Sequence, residues 1–235
     1  MTQSPFKPIL VDLLHQDQTS QKTFIQELPP AERAALGTPQ VWAAKDLVAH
    51  MTFWRQHLVL KLQAFLLKAP QPETGDLDQR NALLFEQQRA RPWSDILAES
   101  DQVYTELLAL FEQLSEEDFN RVDWSPDGEP LSLHIMGYFW HYQSHLEQYA
   151  VERGNLEHAV ETYEVWTQSV LEAGVPDTVQ GMMLYNLACF YATHSRGEKA
   201  WTPLQQSFAL YPRLKEGALT DPDLVEFHLK LSAEC

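Results

Sequence analysis

The stretch DLVAHMTFWRQHLVLKLQAF, residues 46–65, decides the fold class. Its apolar side chains recur at steps of four, three, four, four and three, at Leu47, Met51, Trp54, Leu58, Leu62 and Phe65. This is the spacing of one face of an α-helix, because side chains three and four positions apart lie above one another. We therefore predict a long helix over residues 39–68 whose apolar face turns toward a core.

The same spacing covers most of the remaining chain, and alternating patterns typical of β-strands are scarce. It predicts helices over residues 5–28, 78–88 and 93–114 and a fourth long helix from residue 131. Pro29 and Pro30 end the first of these helices. The segment LHIMGYFWHY, residues 133–142, is apolar or aromatic on every face, which indicates a helix buried on most sides. The fold class is all-α, with four long helices forming a bundle.

A second pattern begins after Arg153-Gly154-Asn155, and it predicts helices over 155–173, 177–194 and 197–210 and a capping helix over 221–228. From Gly181 onward this region resembles a tetratricopeptide repeat (TPR), through Leu184, Leu187, Ala188, Tyr191, Ala200, Leu204 and Pro212. It departs from the repeat pattern at two positions: Leu184 stands where the repeat commonly has tryptophan, and Ser207 stands where it commonly has alanine. The resemblance implies a surface for a protein or peptide. The alternative is a structural appendage that covers a bundle edge or forms a dimer contact. We therefore predict two domains, 1–152 and 153–235.

Composition excludes several classes of function. The chain has 235 residues and a formal net charge of −16, which argues against binding to nucleic acid or to an anionic membrane surface. We find neither a membrane-spanning apolar run nor a signal peptide, and we expect a cytoplasmic protein. Cys189 and Cys235 support neither a disulfide framework nor a cysteine metal site. Phosphate-binding loops, dinucleotide fingerprints and nucleophile elbows are absent from the sequence.

Three of the nine histidines have spacings that favour a metal site. His141 and His145 are four residues apart and so lie on one helix face, and His50 lies beside the apolar stripe of the 39–68 helix. Three imidazoles inside a bundle suit zinc, nickel or iron, with positions left open for water or substrate. The alternative is that these are core histidines paired with a carbonyl or a hydroxyl. His57 and His134, each seven residues from a candidate, occupy similar faces, and spacing alone does not exclude them.

The residues around these histidines resemble the DinB-like, or YfiT-like, four-helix bundles. Trp42, Asp46, Leu47 and His50 match the family stretch W-x-x-x-D-L-x-x-H, and His141 and His145, with Gln148 after them, match its later H-x-x-x-H. The piece from Asn81 through Phe85 to Trp93 is similar to the colibactin-resistance (ClbS/DfsB) branch. The resemblance covers residues 5–152. It implies a divalent metal, zinc, nickel, iron or manganese, held by His50, His141 and His145.

The resemblance also implies an activity. Characterised relatives transfer or isomerise with a low-molecular-weight thiol such as bacillithiol, mycothiol or glutathione, others hydrolyse reactive electrophiles, and some have lost the metal. We therefore expect a metal-dependent thiol transferase or hydrolase acting on a small electrophile, with homodimerisation as a further property of the family. The rival hypotheses are a metal-free interaction module that recruits a protein through the C-terminal helices and a metal-free resistance protein that binds a reactive natural product.

A substrate pocket beside the metal is the last expectation from the sequence. Trp54, Tyr138 and Trp140 are candidates for an aromatic lining, with Asn81 as a polar member. The alternative is that the three rings belong to the helix core, because aromatic residues at helical spacing commonly do.

Overall fold

The computed structural model describes residues 5–125 and 127–233, and within those ranges it contains helices and no strand. The all-α prediction is confirmed. The α-helices are α1 (Phe6–Glu27), α2 (Pro30–Ala34), α3 (Ala44–Leu67), α4 (Leu77–Gln88), α5 (Trp93–Gln113), α6 (Leu131–Glu152), α7 (Leu156–Glu172), α8 (Asp177–Thr193), α9 (Gly197–Leu210), α10 (Leu214–Ala218) and α11 (His228–Ala233). Two 3-10 helices lie at Asp118–Asn120 and Pro222–Phe227. Cys235 lies outside the described residues.

One predicted helix boundary needs correction, and one short helix was not predicted. The helix expected from residue 39 begins at Ala44, because the Asp46 carboxylate accepts a hydrogen bond from the Ala43 backbone N–H at 3.0 Å and closes the helix N-terminus there. The Pro29–Pro30 pair ends α1 as expected, but Pro30 also begins the short helix α2. Proline is tolerated at a first helical position, because the amide hydrogen it lacks would have no partner within the helix.

The chain divides into two compact units, of which the first is Pro5–Ala159. In this unit α3 packs against α4, α5 and α6, and α1 packs against α5. The apolar stripe predicted on α3 is buried, and it packs with large side chains of the other helices. The core includes Leu10, Leu14, Met51, Leu58, Leu62, Ile96, Leu107 and Phe111. Because the stripe turns inward, it carries its polar neighbours His50 and Arg55 into the interior as well.

A buried ion pair connects the helices of this bundle. Arg55 on α3 contacts Asp17 on α1 at 2.9 Å, and the two side chains are 4% and 8% exposed. The Arg55 guanidinium lies between the rings of Tyr104 and Tyr142, 4.6 and 4.4 Å from their centroids. Tyr104 donates its hydroxyl hydrogen to Asp17 at 2.9 Å. Three elements besides α3 thus contribute to one polar network within an apolar core.

The second unit contains the residues from Val160 onward and is built around the pair α8 and α9. Ala188 and Ala200 are fully buried, which lets the two helices approach closely. A Cβ atom added at Gly181 would lie 2.7 Å from the Cβ of Tyr211, so this position requires glycine. The TPR-like interpretation of this region stays a prediction. Along the described parts of both units, no helix combines the length and apolar character needed to cross a membrane.

Candidate metal centre

Two helices of the bundle bring three histidines together. His50 projects from α3, and His141 and His145 project from consecutive turns of α6. The Nε2 atom of His141 lies 3.4 Å from Nε2 of His50 and 2.9 Å from Nε2 of His145. One ring nitrogen from each residue falls within 4.8 Å of the others. The three residues singled out by spacing are therefore neighbours in the structure.

Tryptophan rings enclose this group of histidines. The Trp42 ring centroid lies 4.5 Å from that of His50 and 5.6 Å from that of His145, where the rings are stacked. Trp54 contacts His50 and His141 with centroids 6.2 Å away in each case. The side chain of His50 is buried, with 3% of its surface exposed. The rings limit the access of bulk water to the three imidazoles.

The surroundings keep all three imidazoles neutral. Burial, followed by the neighbouring His145 and His141, lowers the pKa of His50 to about 2. Burial, His145 and the Arg55 guanidinium lower the pKa of His141 to about 3, and burial lowers that of His145 to about 4. A neutral imidazole retains one nitrogen lone pair, which is the form that ligates metal ions.

The geometry fits a divalent cation. Bonds of about 2.1 Å from a cation to two nitrogens place those nitrogens about 3.4 Å apart at a tetrahedral angle and about 3.0 Å apart at a right angle. The observed separations of 3.4 and 2.9 Å have these values. Nδ1 of His50 is buried without a hydrogen-bond partner among the described residues, so no such bond fixes the orientation of that ring. His50, His141 and His145 could thus hold a divalent metal ion.

Comparison with known proteins identifies the family. The sequence profile of the DinB superfamily matches residues 13–149, more than half of the chain. The protein belongs to the DinB superfamily. Comparisons with curated proteins and with solved structures give no significant match. The three histidines all lie within the matched range, which confirms the resemblance that the motifs indicated.

The DinB domain separates the four residues expected to line a pocket. Trp54 contacts the histidines and donates its indole N–H to Asn81 at 3.3 Å, so these two belong to the surroundings of the centre. Tyr138 instead has its hydroxyl 3.0 Å from Nδ1 of His57. Trp140 is half-buried on α6.

His57 and His134, which share helix faces with the metal candidates, lie in a separate polar cluster of the DinB domain. Besides the contact between His57 and Tyr138, Nζ of Lys61 lies 3.3 Å from Nε2 of His134. Burial lowers the pKa of both imidazoles to about 4, with Lys61 as the next cause in each case. The contacts His50–His141, His57–Tyr138 and Lys61–His134 pair later residues of α3 with earlier residues of α6, so the two helices are antiparallel. This register separates the two histidine clusters.

The lowered pKa of His134 makes the stability of the protein sensitive to acid. As the pH falls below about 6.5, the unfolded chain takes up a proton that the folded imidazole binds only near pH 4. His134→Gln, which retains an acceptor for Lys61, should be nearly neutral at pH 7.5 and stabilising by about 2 kcal/mol at pH 5. Urea unfolding of the metal-free protein at both pH values measures this difference. His15→Gln, at an exposed position on α1, is the matched control and should show no pH-dependent gain. An equal effect of His134→Gln at both pH values would contradict the prediction.

A cleft that helical spacing did not predict lies on the His145 side of the centre. This cleft has a volume of about 240 Å³ and is lined by Pro39, Gln40, Trp42, Leu47, His145, Gln148, Tyr149 and Glu152. Trp42 and Gln148 both belong to the motifs that indicated the family, and those motifs were the sequence signal that could have located the cleft. The segment before α3 carries no helical periodicity, so its place beside the end of α6 is not readable from spacing.

A second group of potential ligands occurs in the other unit. Donor atoms of Cys189, Asp221 and Asp223 lie within 4.8 Å of one another. Burial raises the pKa of the Cys189 thiol, which therefore stays protonated at neutral pH, and Tyr185 donates a hydrogen bond to Asp221 at 2.6 Å. A metal ion would have to displace the Cys189 thiol proton and compete with the Tyr185 hydrogen bond to Asp221 before these groups could bind it. The histidine centre is the better candidate.

Proposed function

We propose that this DinB-superfamily protein is an enzyme dependent on a divalent metal, zinc, nickel, iron or manganese, held by His50, His141 and His145. Its reaction is the attack of a low-molecular-weight thiol, or of water, on a small electrophile. The observation that carries the proposal is the convergence of three neutral imidazoles at separations suited to one cation. Membership of the superfamily supports it, because metal binding is common among its members.

The residues of such a site would have different roles. A divalent cation, when bound, supplies a Lewis acid that lowers the pKa of a thiol or of water toward neutrality. His50, His141 and His145 bind through nitrogen, while Trp42 and Trp54 shield them from bulk water. The cleft beside His145 admits the electrophile. In the transfer reaction a carbon–sulfur bond forms, the leaving group departs with its electron pair, and the thiol proton passes to solvent.

Elemental analysis of the full chain, purified without a histidine tag and reconstituted with each of the four metals, tests the metal site. We expect near-stoichiometric binding of at least one metal by the wild type, and its loss in His141→Ala and His145→Ala. His15→Ala, an exposed histidine in the same unit, should retain the metal and serves as the matched control. A wild type that binds none of the four would overturn the proposal and favour the interaction module.

The choice of nucleophile needs a separate assay on the metal-loaded protein. Conjugation of glutathione to 1-chloro-2,4-dinitrobenzene reports thiol transfer, and release of 4-nitrophenol from 4-nitrophenyl acetate reports hydrolysis. Either activity should fall by at least about 100-fold in His141→Ala, because that histidine contacts both of the others. If His141→Ala binds no metal and still retains the activity, that result would contradict the proposed mechanism.

A further inference from the structure

The Trp42 ring stands between the histidine centre and two spaces. It lines the cleft of about 240 Å³ beside His145 and also a small cavity of about 10 Å³ beside His50, and it is common to both linings. Its ring centroid is 4.5 Å from that of His50 and 5.6 Å from that of His145. The placement of this indole therefore decides how far each space reaches toward the imidazoles.

A single peptide group sets that placement. Trp42 lies before α3, which begins at Ala44, so no helical hydrogen bonding fixes its backbone. The Asp46 carboxylate accepts the Ala43 N–H at 3.0 Å, and Nη2 of Arg153 donates to the Trp42 carbonyl at 3.4 Å. This carbonyl and this N–H belong to the same planar peptide group. Holding both ends of the group fixes its orientation, and with it the direction in which the Trp42 side chain leaves the backbone.

The Arg153 guanidinium is itself held in one orientation. Its Nε donates to the Glu32 carboxylate at 3.0 Å, and its Nη1 donates to the Tyr149 carbonyl at 3.2 Å. The group also lies over the Tyr149 ring, 3.3 Å from the centroid. Because a guanidinium is planar and its N–H directions are fixed, these contacts determine where Nη2 points. The remaining donor is thereby aimed at the Trp42 carbonyl.

Gly37 leaves the space that the Asp46 contact needs. The Asp46 side chain is buried, and its Oδ2 atom lies directly against Gly37. A Cβ atom added at Gly37 would lie 2.5 Å from the Ala43 nitrogen and closer still to Oδ2 of Asp46. Rotation of the carboxylate alone would not relieve this overlap, because the Ala43 nitrogen belongs to the backbone. Position 37 therefore requires glycine, which allows such a close approach.

We propose that Asp46 and Arg153 are positioning residues, which clamp the Trp42–Ala43 peptide group and thereby hold the Trp42 indole over His50. The clamped ring covers an imidazole that is only 3% exposed. This inference deepens the proposed function and rests on it, because it takes the histidine centre as the place of reaction. It adds the residues that fix the wall between that centre and the two spaces.

Modification by diethyl pyrocarbonate, which acylates accessible neutral imidazoles, tests the clamp on the metal-free full chain. Trypsin releases His50 in the peptide 46–55 and His57 in the peptide 56–61, and each is the only histidine of its peptide. Mass spectrometry therefore measures the two modification rates separately. His57 is also buried, with 4% of its surface exposed, but it lies in the other histidine cluster. Its rate reports general loosening of the bundle, whereas the rate at His50 reports the clamp as well.

Arg153→Met should raise the rate at His50 about fivefold, because the lost hydrogen bond raises the population in which the ring has moved aside. The rate at His57 should not change. Asp46→Ala should act in the same way, while Asp46→Asn, which retains an oxygen acceptor for the Ala43 N–H, should stay close to the wild type. Arg121→Met removes an arginine with ion pairs to other residues and is the matched control, which should change neither rate.

The outcomes separate the clamp from the proposed function. An unchanged rate at His50 in either Arg153→Met or Asp46→Ala, or an equal rise at His57, would overturn the inference even if the protein binds metal. Asp46→Asn reacting as fast as Asp46→Ala would overturn it as well. The expected pattern in a protein that binds none of the four metals would support the clamp and overturn the metal-dependent enzyme. The same pattern together with stoichiometric metal would support both.

Discussion

Asp17→Ala should lower the free energy of unfolding by about 3–5 kcal/mol, because it leaves the Arg55 guanidinium charged and unpaired in the bundle core. The Arg55 side chain is buried, and its contact with Asp17 is 2.9 Å long. Its remaining hydrogen-bond partner in the network is the side-chain oxygen of Gln21 at 2.8 Å, which carries no charge. The substitution also removes the acceptor of the Tyr104 hydroxyl.

Chemical denaturation of the wild type and the variant measures this loss. Asp12→Ala, which removes an exposed carboxylate from the same helix, is the matched control and should change stability by less than about 0.5 kcal/mol. The double variant Asp17→Ala/Arg55→Met should recover much of the loss, because it removes the buried charge together with its partner. A loss below about 1 kcal/mol in Asp17→Ala would show that the pair does not stabilise the bundle.

This ion pair also bears on the histidine centre. Arg55 contributes, after burial and His145, to the lowered pKa of His141. The guanidinium is held at that place by Asp17 and by the rings of Tyr104 and Tyr142. A buried positive charge thus helps to keep the imidazole neutral, the form that a metal requires. The network that connects the helices therefore places one charged group close enough to His141 to act on its titration, in addition to burial.

Zinc at about 1,000 times its dissociation constant should raise the free energy of unfolding by about 4 kcal/mol. The physical reason is that the three ligands converge only in the folded bundle, because His50 comes from a different helix than His141 and His145. A ligand that binds the native state alone stabilises it by mass action. Thermal or chemical unfolding with and without zinc, after titration to find the dissociation constant, measures the gain.

Two variants make this zinc experiment specific. His141→Ala removes the central ligand and should abolish nearly all of the stabilisation at the same zinc concentration. His15→Ala should retain it, because this exposed histidine on α1 takes no part in the centre. Equal stabilisation of wild type and His141→Ala would place the zinc elsewhere and contradict the proposed ligands. This result does not depend on any catalytic assay.

The sequence by itself determined the helices and the candidate ligands. Helical spacing depends on residues three or four apart, so the stripe of α3, the apolar stretch 133–142 of α6 and the His141–His145 pair were readable without a structure. Proline and glycine marked most helix ends for the same local reason. The motif around Trp42, Asp46 and His50 indicated the DinB superfamily, which the match over residues 13–149 confirms.

Tertiary structure decided which histidines meet. His57 and His134 occupy similar faces to His50 and His141, and the antiparallel register of α3 and α6 places them with Lys61 and Tyr138 instead. It also paired Asp17 with Arg55 and placed the irregular segment at Trp42 beside the end of α6. The physical reason is that spacing within a helix fixes only neighbours on that helix. Contacts between helices depend on how whole side-chain surfaces pack together, and no short stretch of sequence contains that information.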